Sequence, residues 1–168
     1  MAGFKKILVP TDFSEASEAA LKYACRLADA LNASICVLHA VEDPYPGYAY
    51  TEYYVPPREF FELREQEARK CLEAALTEEE KAKYKADLVL RTGPAAQEIL
   101  RYLQEPTDVD LVVIATHGRG GVARLMMGSV ADKVVRAAPG GHDSSGGGRD
   151  SQSPRRVKSR DDGGRLVV

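Results

Sequence analysis

Cysteine is scarce: Cys25, Cys36 and Cys71 are the only three in 168 residues, and none stands in a CxxC pair. An odd number at wide spacing argues against a disulfide framework and against a cysteine zinc site, so reduced, buried thiols are expected. Long apolar runs are also missing, and none approaches the roughly 20 residues that a membrane-spanning helix needs. Excess charge of either sign is lacking too. A formal net charge of −2 gives no general attraction for nucleic acid or an anionic membrane, and neither is expected as a partner. The start MAGFKKILVPTD has two lysines and a short apolar run. It lacks the long apolar region and small-residue cleavage site of a secretory signal, and a cytoplasmic location is expected. The P-loop pattern GxxxxGK[ST] is absent as well, since no lysine follows the glycines of the chain's most glycine-rich internal stretch.

What is present suits one soluble domain. Apolar residues make up 44% and charged residues 29% of the chain, and a chain of this size buries roughly two-thirds of its unfolded surface. KKILVPTD reads as a short strand closed by Pro10, after which Ser14 stands as the N-cap of a helix through Asn32. In that helix Ala16, Ala20, Tyr23, Leu27 and Leu31 fall on one face. The nearly continuous apolar run Ala33 to Val41 reads as a strand covered on both sides. A loop with Pro44, Pro46, Pro56 and Pro57 follows, carrying five of the eight tyrosines, and helical spacing resumes from Arg58 to Leu76. KADLVLRTG is a third strand. Gly93 and Pro94 then turn the chain into a helix striped by Ala96, Ile99, Leu100 and Leu103, and Asp110 to Thr116 is a fourth strand. Strands alternating with helices predict an open, doubly wound parallel α/β sheet with helices on both faces. Ligands of such sheets bind outside the carboxyl ends of the strands, at a topological switch point. The segments PTD, HAV and ATHG all sit at such ends.

The stretch ATHGRGGVARLMMGS, Ala115 to Ser129, links the fourth strand to a helix whose face carries Val130, Val134 and Ala137. Glycine admits close backbone approach, and amides at a helix N-terminus attract anions, so a phosphate suits this position. Ser129 with Asp132 three residues on also fits a simple capping arrangement. His117 lies inside the stretch and suits either a phosphate contact or a turn-stabilising hydrogen bond. Asp12 suits either a turn after the first strand or a hydrogen bond to a ribose and support of a metal on phosphates.

Together KILVPTDFS, LHAV, TGPAAQEIL and ATHGRGGVARLMMGSVADKVVRAAP resemble the universal stress protein family, in the family's order from Lys6 to Pro139. The pattern of its nucleotide-binding members, G-x2-G-x9-G-[ST], reads here as Ala115, Gly118, Gly128 and Ser129, with the first glycine replaced by alanine. The resemblance implies a Rossmann-like fold of the adenine-nucleotide alpha-hydrolase type, with ATP as ligand; Mg²⁺ often accompanies ATP phosphates while using few protein ligands, so metal dependence stays open here. By the same resemblance Pro10, Thr11 and Asp12 lie beside the nucleoside, and the backbone of Ala40 meets the adenine. Gly118, Arg119, Gly128, Ser129 and Val130 would surround the phosphates, and the methyl of Ala115 would narrow the approach to the ribose. A homodimer and an unidentified protein partner are implied as well.

The resemblance stops at Pro139. Family members continue with a proline-containing apolar strand that completes the sheet and pairs across a homodimer. Here residues 140–168 hold half of the 14 glycines and six basic against four acidic residues, a composition expected to be disordered. Three outcomes stand open: the terminal RLVV docks as the missing strand, the body tolerates its loss, or the tail is an altered reading of an ancestral end. The domain expected is therefore 1–139. Its expected role is an ATP-binding stress sensor or regulator, with a non-nucleotide-binding dimeric scaffold of the same fold as the alternative. With no P-loop lysine and no evident nucleophile–base pair, turnover beyond slow ATP hydrolysis is not expected. A third class, an ATP-dependent nucleotidyl transferase on a related layout, would need a catalytic cluster that the sequence does not display.

Overall fold

A computed structural model of the chain describes residues 4–42, 57–115, 129–137, 159–160 and 166–167. In chain order the main elements are β1 (Lys6–Pro10), α1 (Glu15–Leu31), β2 (Ser34–Val41), α2 (Arg58–Ala74), α3 (Glu78–Tyr84), β3 (Asp87–Thr92), α4 (Ala95–Gln104), β4 (Leu111–Val112) and α5 (Ser129–Ala137). The four strands pair in parallel in the order β3-β2-β1-β4. This is the doubly wound, Rossmann-like α/β sheet that the alternation predicts.

Strand side chains alternate between faces, and the core divides accordingly. Ile7, Val9, Ile35, Val37, Leu111 and Val113 pack with Ala20, Leu21, Ala24 and Ala28 of α1, and with Leu72 and Tyr84. Leu8, Cys36, Leu38, Val112 and Ile114 pack on the other face against Ile99 and Tyr102 of α4 and Ala131 and Val134 of α5. Covering both faces is why β1 and β2 read as unbroken apolar runs; burying each such side chain stabilises by roughly 1.5–3 kcal/mol.

Local signals set the helix ends. Ser14 caps α1, its hydroxyl accepting from the Ser17 amide, and Asn32 closes the helix in the left-handed region at φ +52°. The buried face of α1 is turned by about one residue from the expected stripe. Ser17, Ala20, Leu21, Ala24, Cys25 and Ala28 are buried, Tyr23 and Leu27 flank them, and Leu31 is exposed. Small alanines at the centre let the helix lie close on the sheet, and the bulkier residues fall to its margins.

The helix expected from Arg58 to Leu76 is α2, which ends at Ala74, and a second short helix, α3, follows in a stretch for which no element was expected. Between them Thr77 and Glu80 form a capping box that starts α3. Tyr84 then anchors α3 by donating to the Asp29 carboxylate at 3.2 Å, beside a 2.7 Å Lys83–Asp29 pair. Cys71 is exposed, contrary to expectation, while Cys25 and Cys36 are buried; α2 buries only Leu72 and leaves its other faces outside the core. β4 is shorter than expected, though Val113 still donates to the Leu8 carbonyl at 2.9 Å. In the tail, Leu166–Val167 of RLVV pairs antiparallel with Ser159–Arg160, in a sheet separate from the main one. It does not extend β4.

Candidate functional site

The chain steps from β1 to β2 to β3 in one direction and then returns to place β4 on the opposite side of β1. The switch point therefore lies at the carboxyl ends of β1 and β4, where open α/β sheets bind ligands. Pro10 closes β1, Thr11 and Asp12 follow it, and Ala115 follows the end of β4. Ala40 stands near the end of β2, the strand next to β1. His117, Gly118, Arg119 and Gly128 lie outside the described residues, as do Thr116 and the tyrosine-bearing loop.

The loop between β1 and α1 is held by its own short side chains. The Thr11 hydroxyl sits 3.0 Å from that of Ser17 and accepts from the Phe13 amide at 3.0 Å. One carboxylate oxygen of Asp12 accepts from the Ser14 amide at 3.1 Å and the Ser14 hydroxyl at 2.5 Å. The turn-forming role of Asp12 is thus realised, and Ser14 caps the Ser17 amide at the N-terminus of α1. Phe13 between them adopts φ +61°, a left-handed conformation that a bulky residue takes only under constraint from its surroundings.

That constraint is visible. The Phe13 ring lies 4.3 Å from the His39 ring, tilted by 35°. His39 Nδ1 is 2.8 Å from the Thr11 carbonyl oxygen. A carbonyl only accepts, so Nδ1 carries the hydrogen. Sequence reasoning singled out neither Phe13 nor the partnership of His39 with Thr11, because the contact joins residues 28 apart through a backbone atom.

Ala40 is defined by the direction of its main chain. The Leu38 carbonyl accepts from the Thr11 amide at 2.9 Å and the Val41 carbonyl from the Gly93 amide at 3.0 Å. Leu38 therefore faces β1, and Val41 faces β3. Alternate residues of a strand share a side, so the N–H and C=O of Ala40 point toward β1, whose register with β2 ends at Pro10↔Leu38. The edge of Ala40 lies beyond the last rung, at the switch-point end of the sheet.

Ala115 is half-buried, and its methyl packs against the α1-side cluster. Ser129 is the exposed first residue of α5, and Val130 packs against the α4-side cluster. The described structure thus gathers Pro10, Thr11, Asp12, Ala40 and Ala115 at one sheet edge, and sets Ser129 and Val130 in the first turn of α5.

The shifted ionisations belong to the framework. Burial pushes the Cys25 and Cys36 thiols up, which keeps both protonated near neutrality and unsuited to nucleophilic chemistry. Burial likewise raises the Tyr102 phenol, which accepts from Cys36 Sγ at 3.2 Å. At the amino end of β1, the Asp87 carboxylate raises Lys6. Among the described residues no group of three or more His, Cys, Asp or Glu could hold a metal ion, and no helix is long and apolar enough to cross a membrane.

Comparison with known proteins agrees with this architecture. A profile of the Universal stress protein family matches residues 3–140. A universal stress protein of Methanocaldococcus jannaschii is 31% identical over 136 residues, covering 80% of this chain and 78% of that protein. Universal stress protein YxiE of Bacillus subtilis is 32% identical over 136 residues, covering 78% and 91% respectively. The solved structure of the universal stress protein UspA from Lactobacillus plantarum superposes with a TM-score of 0.66 at 25% identity, covering 83% of this chain and 95% of that one. The chain belongs to the universal stress protein family.

Proposed function

We propose that the crevice at the carboxyl ends of β1, β2 and β4 binds an adenine nucleotide, with ATP as the leading ligand, and that occupancy regulates the protein's contacts with a partner. The observation that carries the reading is the main-chain edge of Ala40, which points toward β1 beyond the last paired rung, beside the switch point. A strand edge with one donor and one acceptor matches the paired acceptor and donor on an adenine edge. Thr11 and Asp12 stand next to it for the ribose. Phosphates are assigned to the stretch Gly118 to Ser129, which leads into the first turn of α5 at Ser129. Gly118, Arg119 and Gly128, with His117 and Val130, complete that assignment, and main-chain amides carry most of it.

Mg²⁺ would arrive with the phosphates, an ion that keeps most of its waters and uses few protein ligands. The role proposed is sensing, not turnover. Homodimerisation and a cytoplasmic setting belong to the same reading.

Calorimetric titration of the full chain with ATP, with and without Mg²⁺, tests it. Saturable binding is expected, lost in a folded variant carrying Gly118→Val and Gly128→Val. Absence of saturable heat from the folded wild-type chain up to about 1 mM, the weak limit of meaningful affinity, would refute the reading and leave the dimeric scaffold in its place.

A further inference from the structure

The ladder between β1 and β2 stops one rung early. In a parallel pair, a residue whose amide donates to partner j−1 normally accepts, at its own carbonyl, from partner j+1. Thr11 donates to the Leu38 carbonyl at 2.9 Å, so the next rung would run from the Ala40 amide to the Thr11 carbonyl. The pairing instead ends at Pro10↔Leu38. The Thr11 carbonyl is taken by His39 Nδ1 at 2.8 Å. The same imidazole lies against Phe13, whose φ of +61° breaks the extended run of β1.

We infer that His39 is a positioning residue, whose ring substitutes for the Ala40 amide at the Thr11 carbonyl and so keeps the Ala40 edge open for the base of a nucleotide. This rests on the nucleotide reading, but it makes a claim about the ligand-free chain as well. Closing the rung would give the Ala40 amide an intramolecular partner that a base must displace. His39 therefore acts on affinity without touching the ligand.

Two variants and the wild type separate the possibilities. His39→Phe keeps a ring against Phe13 and removes the donor; His39→Asn keeps an N–H near the position of Nδ1. In the ligand-free full chain, amide hydrogen exchange by NMR is expected to be faster at Ala40 than at His39 and Val41, whose amides face β3. In His39→Phe, exchange at Ala40 slows by about tenfold and ATP binding weakens by about tenfold, the scale of one main-chain hydrogen bond. His39→Asn restores both to within about threefold. Protected Ala40 exchange in the wild type overturns the inference even if neither variant folds. Unchanged exchange in a folded His39→Phe overturns it too, and slowed exchange with unchanged ATP affinity overturns its link to the base. A wild-type chain that binds no ATP refutes the nucleotide reading, while the exchange data still decide whether His39 holds the rung open.

Discussion

Gly93→Ala tests the turn that carries β3 past Ala40's strand into α4. Gly93 has φ +140°, a region essentially reserved for glycine, and imposing it on alanine costs about 1–3 kcal/mol. The new Cβ would lie 2.8 Å from Glu98 Oε1, 3.2 Å from its Cγ and 3.3 Å from its Cδ. Glu98 cannot simply swing away: its side chain is only 7% exposed and its Oε1 is held by Arg101 at 2.8 Å. Displacing a packed side chain adds about 1 kcal/mol or more, so the total expected loss is about 2–4 kcal/mol. That is a large part of a typical 5–15 kcal/mol of native stability. Urea unfolding measures it, and Glu98→Ala in both backgrounds separates the two causes. With Glu98 truncated, Gly93→Ala should cost only the backbone share. A total below about 1 kcal/mol would refute the strain argument, and equal costs in both backgrounds would refute the clash. Because the Gly93 amide donates to the Val41 carbonyl next to Ala40, ATP binding should weaken in the same variant.

Ala115→Gly should leave ATP affinity within about threefold of wild type while lowering stability by about 0.5–1 kcal/mol, since the methyl packs into the α1-side cluster; calorimetry showing tenfold tighter binding would mean that the methyl faces the ligand. Stability should fall as pH rises above about 8.5, the ordinary thiol value. Cys25 and Cys36 have raised folded pKa values, chiefly from burial, so above that pH the unfolded chain binds fewer protons than the folded one and the slope of stability is negative. Their contribution is fully present below the unfolded pKa and is lost as pH approaches the folded values. Urea midpoints from pH 7 to 10 check this, and a flat profile would count against burial as the cause.

The sheet was readable because it obeys one rule throughout. Apolar runs covered on both faces give parallel strands, and the alternation with helices gives their covering, so β1 to β3 and the helices beside them fall where periodicity puts them. Periodicity failed where several apolar positions competed for one face. In α1, Leu21 and Cys25 sit beside Ala20 and Ala24, and only contact with the sheet decides that the narrow alanine side goes inward. Periodicity also left α3 unassigned: the expected helix stops at Leu76, and the start of the next one is a capping box that the sequence does spell, T-E-E-E.

The site shows the same division between what a pattern can carry and what only a fold can. Side chains recur in a sequence, but the sides toward which backbone groups point are set by register. Pro10, Thr11, Asp12 and Ala40 are recognisable as strand-end residues, yet nothing in LHAV says that Ala40 faces β1 beyond its last rung, or that His39 takes the carbonyl which would have closed it. Asp12 illustrates the converse. A carboxylate at a switch point invites a ligand role, but one of its oxygens already accepts twice from Ser14, so its first duty is to fix the turn that brings Thr11 to the crevice. On the proposed nucleotide reading, recognition at this edge would rest mainly on main-chain direction, with short polar side chains and one imidazole fixing that direction. On that reading the site should tolerate substitution at Ala115, whose methyl packs against the α1-side cluster, and be sensitive at His39, which holds the Thr11 carbonyl, and at Gly93, whose φ of +140° sets the turn.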